Sequence, residues 1–304
     1  MDALIQSLVQ ANFAPERIAP QASMAQYTTL RIGGPAEVMV NIHSADEIAV
    51  ALRAAKQADA PVTIIGNGSN LLVRDGGIRG LVLRVSGGMN AIRREGDCLL
   101  VQAGASLAAV AAFARDEGLS GMAELGGIPG TVGGGVLMNA GAYGAELAQL
   151  VTQAEGVSLS DGRRVVYPAD RLDFAYRHSA LMDAGVVITQ ATLALTPGDP
   201  EAIRARMEEC AKARREKQPL TLPSAGSTFK RPEGHFAAKL IDDCGLRGLT
   251  VGGAQVSEKH AGFIVNIGGA TARDMLELMR QVEQRVFEQT GVQLEPEVRI
   301  LGED

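Results

Sequence analysis

The chain reads as an α+β protein, and three patterns in its 304 residues lead there. Short apolar runs end in glycine-rich loops, as where residues 62–65 run into Gly66-Asn67-Gly68-Ser69-Asn70. Capped helical stretches stand between such runs, with serine or threonine ahead of them and glycine or proline behind. Strand signals then dominate residues 151–195, and the chain closes on a segment of period two. A chain of this length has room for two or three domains and a sizeable core.

The elements follow in order. Residues 3–12 form a short amphipathic helix, and Pro15 and Pro20 break the chain after it. Ser44-Ala45-Asp46-Glu47 is a capping box that starts a helix over residues 45–58. Pro61 stops it, and residues 62–65 are a buried strand, with further strands at 81–85 and 99–102. Ser106 caps the next helix and Gly118 closes it. Asp161-Gly162 marks a turn inside the strand-rich region. Asp199-Pro200 opens a long helix to about Lys217, because proline suits the first helical position. Pro219 and Pro223 bracket a loop, a short helix spans 235–244, and strands lie around 250–256 and 262–267. Thr271 caps a helix that ends at Gly291. In the last segment Val292, Leu294, Pro296, Val298 and Ile300 alternate with Gln293, Glu295, Glu297 and Arg299, which places the apolar set inward. Boundaries near 80 and 212 divide the chain into residues 1–80, 81–212 and 213–304.

Composition excludes several classes. Net charge is −6 and tryptophan is absent, which argues against nonspecific binding to nucleic acid or anionic membranes and against a base-stacking platform. No apolar run approaches the ~18 residues of a membrane span, and no basic leader precedes one, so a cytoplasmic protein is expected. Cys98, Cys210 and Cys244 are far apart and odd in number, and the four histidines have no ligand spacing, so neither disulfides nor a metal site are expected.

Glycine is where the chain departs from the ordinary. There are 36 glycines, where usage of ~7% would give about 21, and the excess sits in loops. Eight of the nineteen residues over 126–144 are glycine. A strand followed by a glycine loop aims main-chain N–H groups at a phosphate. Two such loops point to one large anionic cofactor held at two places. Neither standard fingerprint is present: Gly66-x-Gly68 is followed by Leu71 where a dinucleotide motif needs glycine, and no G-K-[ST] exists.

Thr28-Thr29-Leu30-Arg31-Ile32-Gly33-Gly34, G-N-G-S-N-L-L-V at 66–73, G-I-P-G-T-V-G-G at 127–134 and N-A-G-A-Y-G at 139–144 together resemble the UDP-N-acetylenolpyruvoylglucosamine reductase family. The resemblance runs from about residue 23 to the C-terminus. It implies a two-lobed FAD-binding domain of the vanillyl-alcohol oxidase/p-cresol methylhydroxylase type, in residues 1–80 and 81–212. It also implies a C-terminal α+β substrate-binding domain whose final strand returns to the active site. It implies noncovalent FAD, held by Gly66, Asn67, Gly68, Ser69, Asn70, Ile128, Gly130, Gly133, Gly134, Asn139, Gly141 and Arg214. NADPH is the implied reductant, UDP-N-acetylglucosamine enolpyruvate the substrate, and a monomer the expected state.

Three residues carry the implied chemistry. Tyr176-Arg177-His178-Ser179 matches a Tyr-Arg-x-Ser motif whose arginine contacts the enolpyruvyl carboxylate; a planar guanidinium matches a carboxylate with two parallel hydrogen bonds. An arbitrary arginine is more often a surface ion pair. Ser227, in Ala225-Gly226-Ser227-Thr228-Phe229, matches the family's proton donor to a carbanion, although most serines in Gly-Ser turns only bond nearby backbone. Glu297 rather than Glu295 matches the catalytic glutamate of Glu-Pro-Glu-Val, a role that needs it to donate a hydrogen bond. Without the resemblance it reads as one charge on a solvated strand face. From Arg204 to Lys217 there are six basic residues against three glutamates, either an exposed charged helix or a landing site for diphosphates. The resemblance places Tyr143, Lys217 and Lys230 at the substrate.

Two departures stand out. The segment after Arg177 is too short for the tyrosine loop that covers the substrate in the longer form of the family, and Arg231 stands where that form has asparagine. Both point to the shorter form. Two other functions stay open. One is another FAD-dependent oxidase or dehydrogenase of the superfamily acting on a sugar alcohol, which rapid reoxidation by oxygen would reveal. The other is a non-catalytic nucleotide-sugar sensor, which would show no turnover with NADPH.

Overall fold

In the computed structural model, which describes residues 1–304, the chain divides into two units, each with its own apolar core. The first comprises residues 1–20, 38–67 and 80–214, and the second residues 21–37, 68–79 and 215–304.

The first unit is built on helices α1 (Asp2–Gln10), α2 (Ala45–Gln57), α3 (Leu107–Asp116), α4 (Val132–Leu137) and most of α5 (Pro200–Lys217). An antiparallel five-stranded sheet runs in the order Arg164–Pro168, Val151–Ser158, Val186–Ala194, Cys98–Gln102, Ile92–Glu95. Val62–Ile65 pairs in parallel with Ile78–Arg84, Val62 opposite Leu81. In α3, Leu107, Val110, Ala111 and Ala114 recur at helical spacing and are all buried. Ser106 Oγ accepts from Ala109 N at 3.1 Å and so caps the helix.

The second unit holds α6 (Ala237–Asp243), α7 (Ala272–Thr290) and a three-stranded antiparallel sheet of Thr250–Val251, Ala254–Val256 and Ile264–Asn266. Thr271 and Asp274 form a reciprocal capping box on α7, and Gly291 ends it in the left-handed region at φ 72°. Met275, Leu278, Met279, Val282 and Val286 form its buried stripe.

The structure corrects several expectations. The final segment is not a continuous strand: only Arg299–Leu301 pairs, in parallel with Leu71–Val73. Leu294 and Val298 are buried, but Pro296 and Ile300 are exposed, so the period-two pattern fails. Proline lacks the N–H that a ladder needs, and only a single bridge forms there, between Phe229 and Pro296. The glycine-rich run contains a short helix, α4, because Thr131 caps it: its Oγ1 accepts from Gly134 N at 3.3 Å. The box at Ser44 is only half formed. Ser44 Oγ accepts from Glu47 N, but the Glu47 carboxylate accepts from His43 N and pairs with Arg17 instead of returning to Ser44. Strands at Ile18–Ser23 and Pro35–Asn41 were not expected, since proline and alanine break their apolar pattern.

Candidate active site

The two glycine-rich segments meet within the first unit. A Cβ added to Gly66 would come 2.6 Å from Thr131 Oγ1, and one added to Gly133 would come 2.9 Å from Ala103 Cβ. Glycine is therefore required at both positions by close approach. Ser86 Oγ donates to Gly66 O at 3.0 Å, and Val132 N and Gly133 N donate to Ala105 O and Ala103 O at 2.8 Å each. Gly66, Thr131, Gly133 and Gly134 line one open cavity of about 100 Å³. Its other walls are apolar, including Ile65, Val85, Leu137 and Ile188. Glycine main chain beside an apolar wall suits a flat aromatic group with an anionic linker. These residues fit FAD on that ground.

The rest of the first loop belongs to the second unit. Gly68 sits at φ 62°, and an added Cβ would collide with the carbonyl of Tyr27. Asn70 Nδ2 donates to Glu297 O at 3.1 Å, and Arg299 N donates to Asn70 O at 3.0 Å. Ser69 is half-buried.

Three of the eight non-glycine residues at positive φ are candidate residues. Asn139 (φ 43°), Tyr143 (φ 53°) and Arg177 (φ 56°) all adopt the left-handed region, which costs a non-glycine residue on the order of 1 kcal/mol. Arg177 is the third residue of a tight turn in which Ala175 and His178 exchange two main-chain hydrogen bonds of 3.1 Å. Its guanidinium lies 4.9 Å from the centre of the Tyr176 ring. The chain then goes directly into a 3₁₀ turn at Ala180–Met182, leaving no inserted covering loop.

Asn139 is fully buried and its amide is committed within the protein: Nδ2 donates to Ala175 O at 3.0 Å, and Oδ1 accepts from Ala148 N at 2.9 Å. What Asn139 can offer a cofactor is its main chain. Gly141 pairs with Glu146 in a short hairpin whose turn exposes Tyr143. Burial holds the Arg214 guanidinium below its usual range, and the Tyr143 phenol acts in the opposite direction. A desolvated guanidinium is a strong receptor for an anion. Ile128 and Gly130 are half-buried in the loop that leads into α4.

In the second unit Ser227 and Glu297 lie on neighbouring backbone segments. Glu297 N donates to Thr228 O and Lys230 N to Glu295 O, both at 2.8 Å. Thr228 is buried, its Oγ1 accepting from Ile264 N at 3.0 Å. Ser227 is exposed at the end of this ladder. The two glutamates differ: Glu295 is exposed and pairs with Lys230 Nζ at 3.3 Å, whereas Glu297 is half-buried. Lys217 is exposed at the end of α5. Elsewhere on that helix Arg206 binds Glu124 and Glu209, so much of the basic run is a charged face with its own carboxylates. Arg231 lies over Phe236, 4.6 Å from the ring centre.

The sequence reading did not single out Thr131, Ser179 or Thr228. The first was legible as a helix cap three residues ahead of Gly134, but the glycine run argued against a helix. Ser179 was visible only as the last residue of the Tyr-Arg-x-Ser motif, and both it and Thr228 act through carbonyls and amides distant in sequence, of which residue order carries no signal.

The fold and its glycine cradle define a flavin-binding protein. A family model described as FAD binding domain matches residues 36–167, and one described as the C-terminal domain of UDP-N-acetylenolpyruvoylglucosamine reductase matches residues 218–301. The reductase of that name from Pediococcus pentosaceus is 47% identical over 299 residues, covering 98% of this chain and 99% of the relative. The one from Agathobacter rectalis is 49% identical over 292 residues, 92% of each chain. The crystal structure of the reductase from Thermus caldophilus superposes with a TM-score of 0.79 at 39% identity, covering 91% of this chain and 97% of that one. The chain belongs to the UDP-N-acetylenolpyruvoylglucosamine reductase family.

Proposed function

We propose that the chain reduces the enolpyruvyl group of UDP-N-acetylglucosamine enolpyruvate with NADPH, giving UDP-N-acetylmuramate for peptidoglycan synthesis. Noncovalent FAD, held by Gly66, Thr131, Gly133, Gly134 and the Gly68–Asn70 stretch, would carry two electrons and a proton from NADPH to the β carbon of the enol ether. Every other part of the reaction falls to side chains of the protein. Arg177 grips the substrate carboxylate with its planar fork. Glu297 donates a hydrogen bond to the same carboxylate as negative charge develops there. Ser227 Oγ–H delivers the second proton, to the α carbon, and recovers it from solvent. Arg214 neutralises a phosphate, and Tyr143, Lys217 and Lys230 orient the diphosphate and sugar.

The observation that carries these roles is the antiparallel pairing of the Ser227 and Glu297 segments, which fixes a hydroxyl and a half-buried carboxyl on adjacent strands of backbone. The free state of all three cysteines suits a reducing, cytoplasmic setting, and nothing in the proposed chemistry needs more than one copy of the chain.

The test separates two half-reactions. Purified protein should be yellow, bleach on adding NADPH, and recover its colour on adding the enolpyruvyl sugar, with the lactyl ether as product. In Ser227→Ala, bleaching should stay within about twofold while recovery slows by about 10²- to 10⁴-fold. Equal loss in both steps would contradict the proton-donor role. A protein that never binds a reducible flavin would overturn the whole reading.

A further inference from the structure

Arg177 stands on a strained turn, and that turn is clamped at both ends by side chains that touch the glycine-rich segment. At the front, Asn139 Nδ2 donates to Ala175 O, the same carbonyl that accepts from His178 N, so both lone pairs are used. At the back, Ser179 Oγ donates to Leu137 O at 2.8 Å, a carbonyl in the last turn of α4. Asn139 and Ser179 are both fully buried. Leu137 lines the cavity that Gly66, Gly133 and Gly134 border. The carboxylate-reading arginine is therefore tied to the cofactor cradle by two part-buried hydrogen bonds of side-chain origin.

We propose that Asn139 and Ser179 are positioning residues for substrate reduction. They hold the Arg177 turn in register with α4, so the guanidinium is aimed by the same element that shapes the cofactor cavity. This rests on the reaction proposed above. The clamp serves the step in which substrate is reduced and not the step in which NADPH is consumed, because only the first uses Arg177. Without it, the left-handed Arg177 conformation loses two of the hydrogen bonds that hold its turn, and the turn relaxes toward commoner backbone angles.

Asn139→Asp tests the front bond selectively. Aspartate tolerates the left-handed region and keeps the acceptor for Ala148 N, but it sets a carboxylate oxygen against Ala175 O where a donor stood. Ser179→Ala tests the back bond and reports independently if the first variant folds poorly. In both, kcat/KM for the enolpyruvyl sugar should fall at least tenfold; in Ser179→Ala, FAD content and the rate of bleaching by NADPH should stay within twofold of the parent protein. In an Arg177→Ala background, Asn139→Asp should add less than twofold, because a residue acting through Arg177 has nothing left to position. Loss of FAD or equal slowing of both half-reactions in Ser179→Ala would overturn the proposal, as would losses that multiply in the Arg177→Ala background or an unaffected Ser179→Ala. Failure of the parent protein itself to couple the two half-reactions would instead sink the assigned reaction.

Discussion

The two units hold their candidate side chains by opposite means. In the first, Arg177 sits on a tight turn braced by two side chains, Asn139 and Ser179. In the second, Ser227 and Glu297 hang on a main-chain ladder to which almost any residue could contribute. A ladder needs only amides and carbonyls, which every residue but proline supplies in full. A side-chain brace needs particular residues, so the Arg177 turn is the more fragile under substitution.

Arg177→Lys should expose that fragility most strongly. The turn can persist, but a point charge cannot reproduce the bidentate fork, and kcat/KM should fall by about 10²-fold. Steady-state rates decide it; a loss under threefold would mean that the arginine does not read the carboxylate. Gly133 and Gly134 sharpen the contrast within the first unit. Alanine at 133 intrudes on Ala103 and should destabilise the unfilled protein by about 1–3 kcal/mol, seen as a lower Tm. Alanine at 134 meets only Thr131 Oγ1, at 3.5 Å, and should leave Tm unchanged or raised, since glycine inside a helix costs about 0.5–1 kcal/mol. Its FAD affinity should nonetheless drop at least tenfold, by titration of flavin fluorescence, if the bare backbone there faces the cofactor. An unaltered affinity would remove Gly134 from the cradle.

The ladder should prove tougher. Thr228→Val leaves Ile264 N without its buried acceptor and should cost about 1–3 kcal/mol by denaturant unfolding. The Thr228 carbonyl still receives Glu297 N, so turnover should change only a few-fold. The smallest effect concerns pH. His260 accepts from Gly262 N at Nδ1, and Gly262 O in turn receives Thr228 N. Burial, reinforced by the charge of Arg247, pulls the imidazole below its usual range. The unfolded chain then takes up the proton first as pH falls below about 6.5, so stability declines from there downward through the folded value. His260→Asn, which keeps an acceptor, should flatten the stability curve between pH 7 and 5. An unchanged slope would assign that acid sensitivity to other groups.

Residue order was enough for the helices that carry their own stop and start signals: Ser106, Thr271 and Gly291 bound elements much as their chemistry demands. It was enough, too, for the glycine segments and for the family, because those motifs are contiguous. Three-dimensional packing settled what depends on distant partners. Pro296 interrupted an alternating pattern that composition favoured, and the segment was placed by the Lys230 amide and the Thr228 carbonyl. Asn139 was legible as part of a cofactor motif, but the partners of its side chain turned out to be carbonyls and amides as far as 36 positions away. Local propensity is written residue by residue and survives translation into any fold. A hydrogen bond between a side chain and a remote carbonyl exists only once the chain has closed on itself, and the aim of Arg177 is of that second kind.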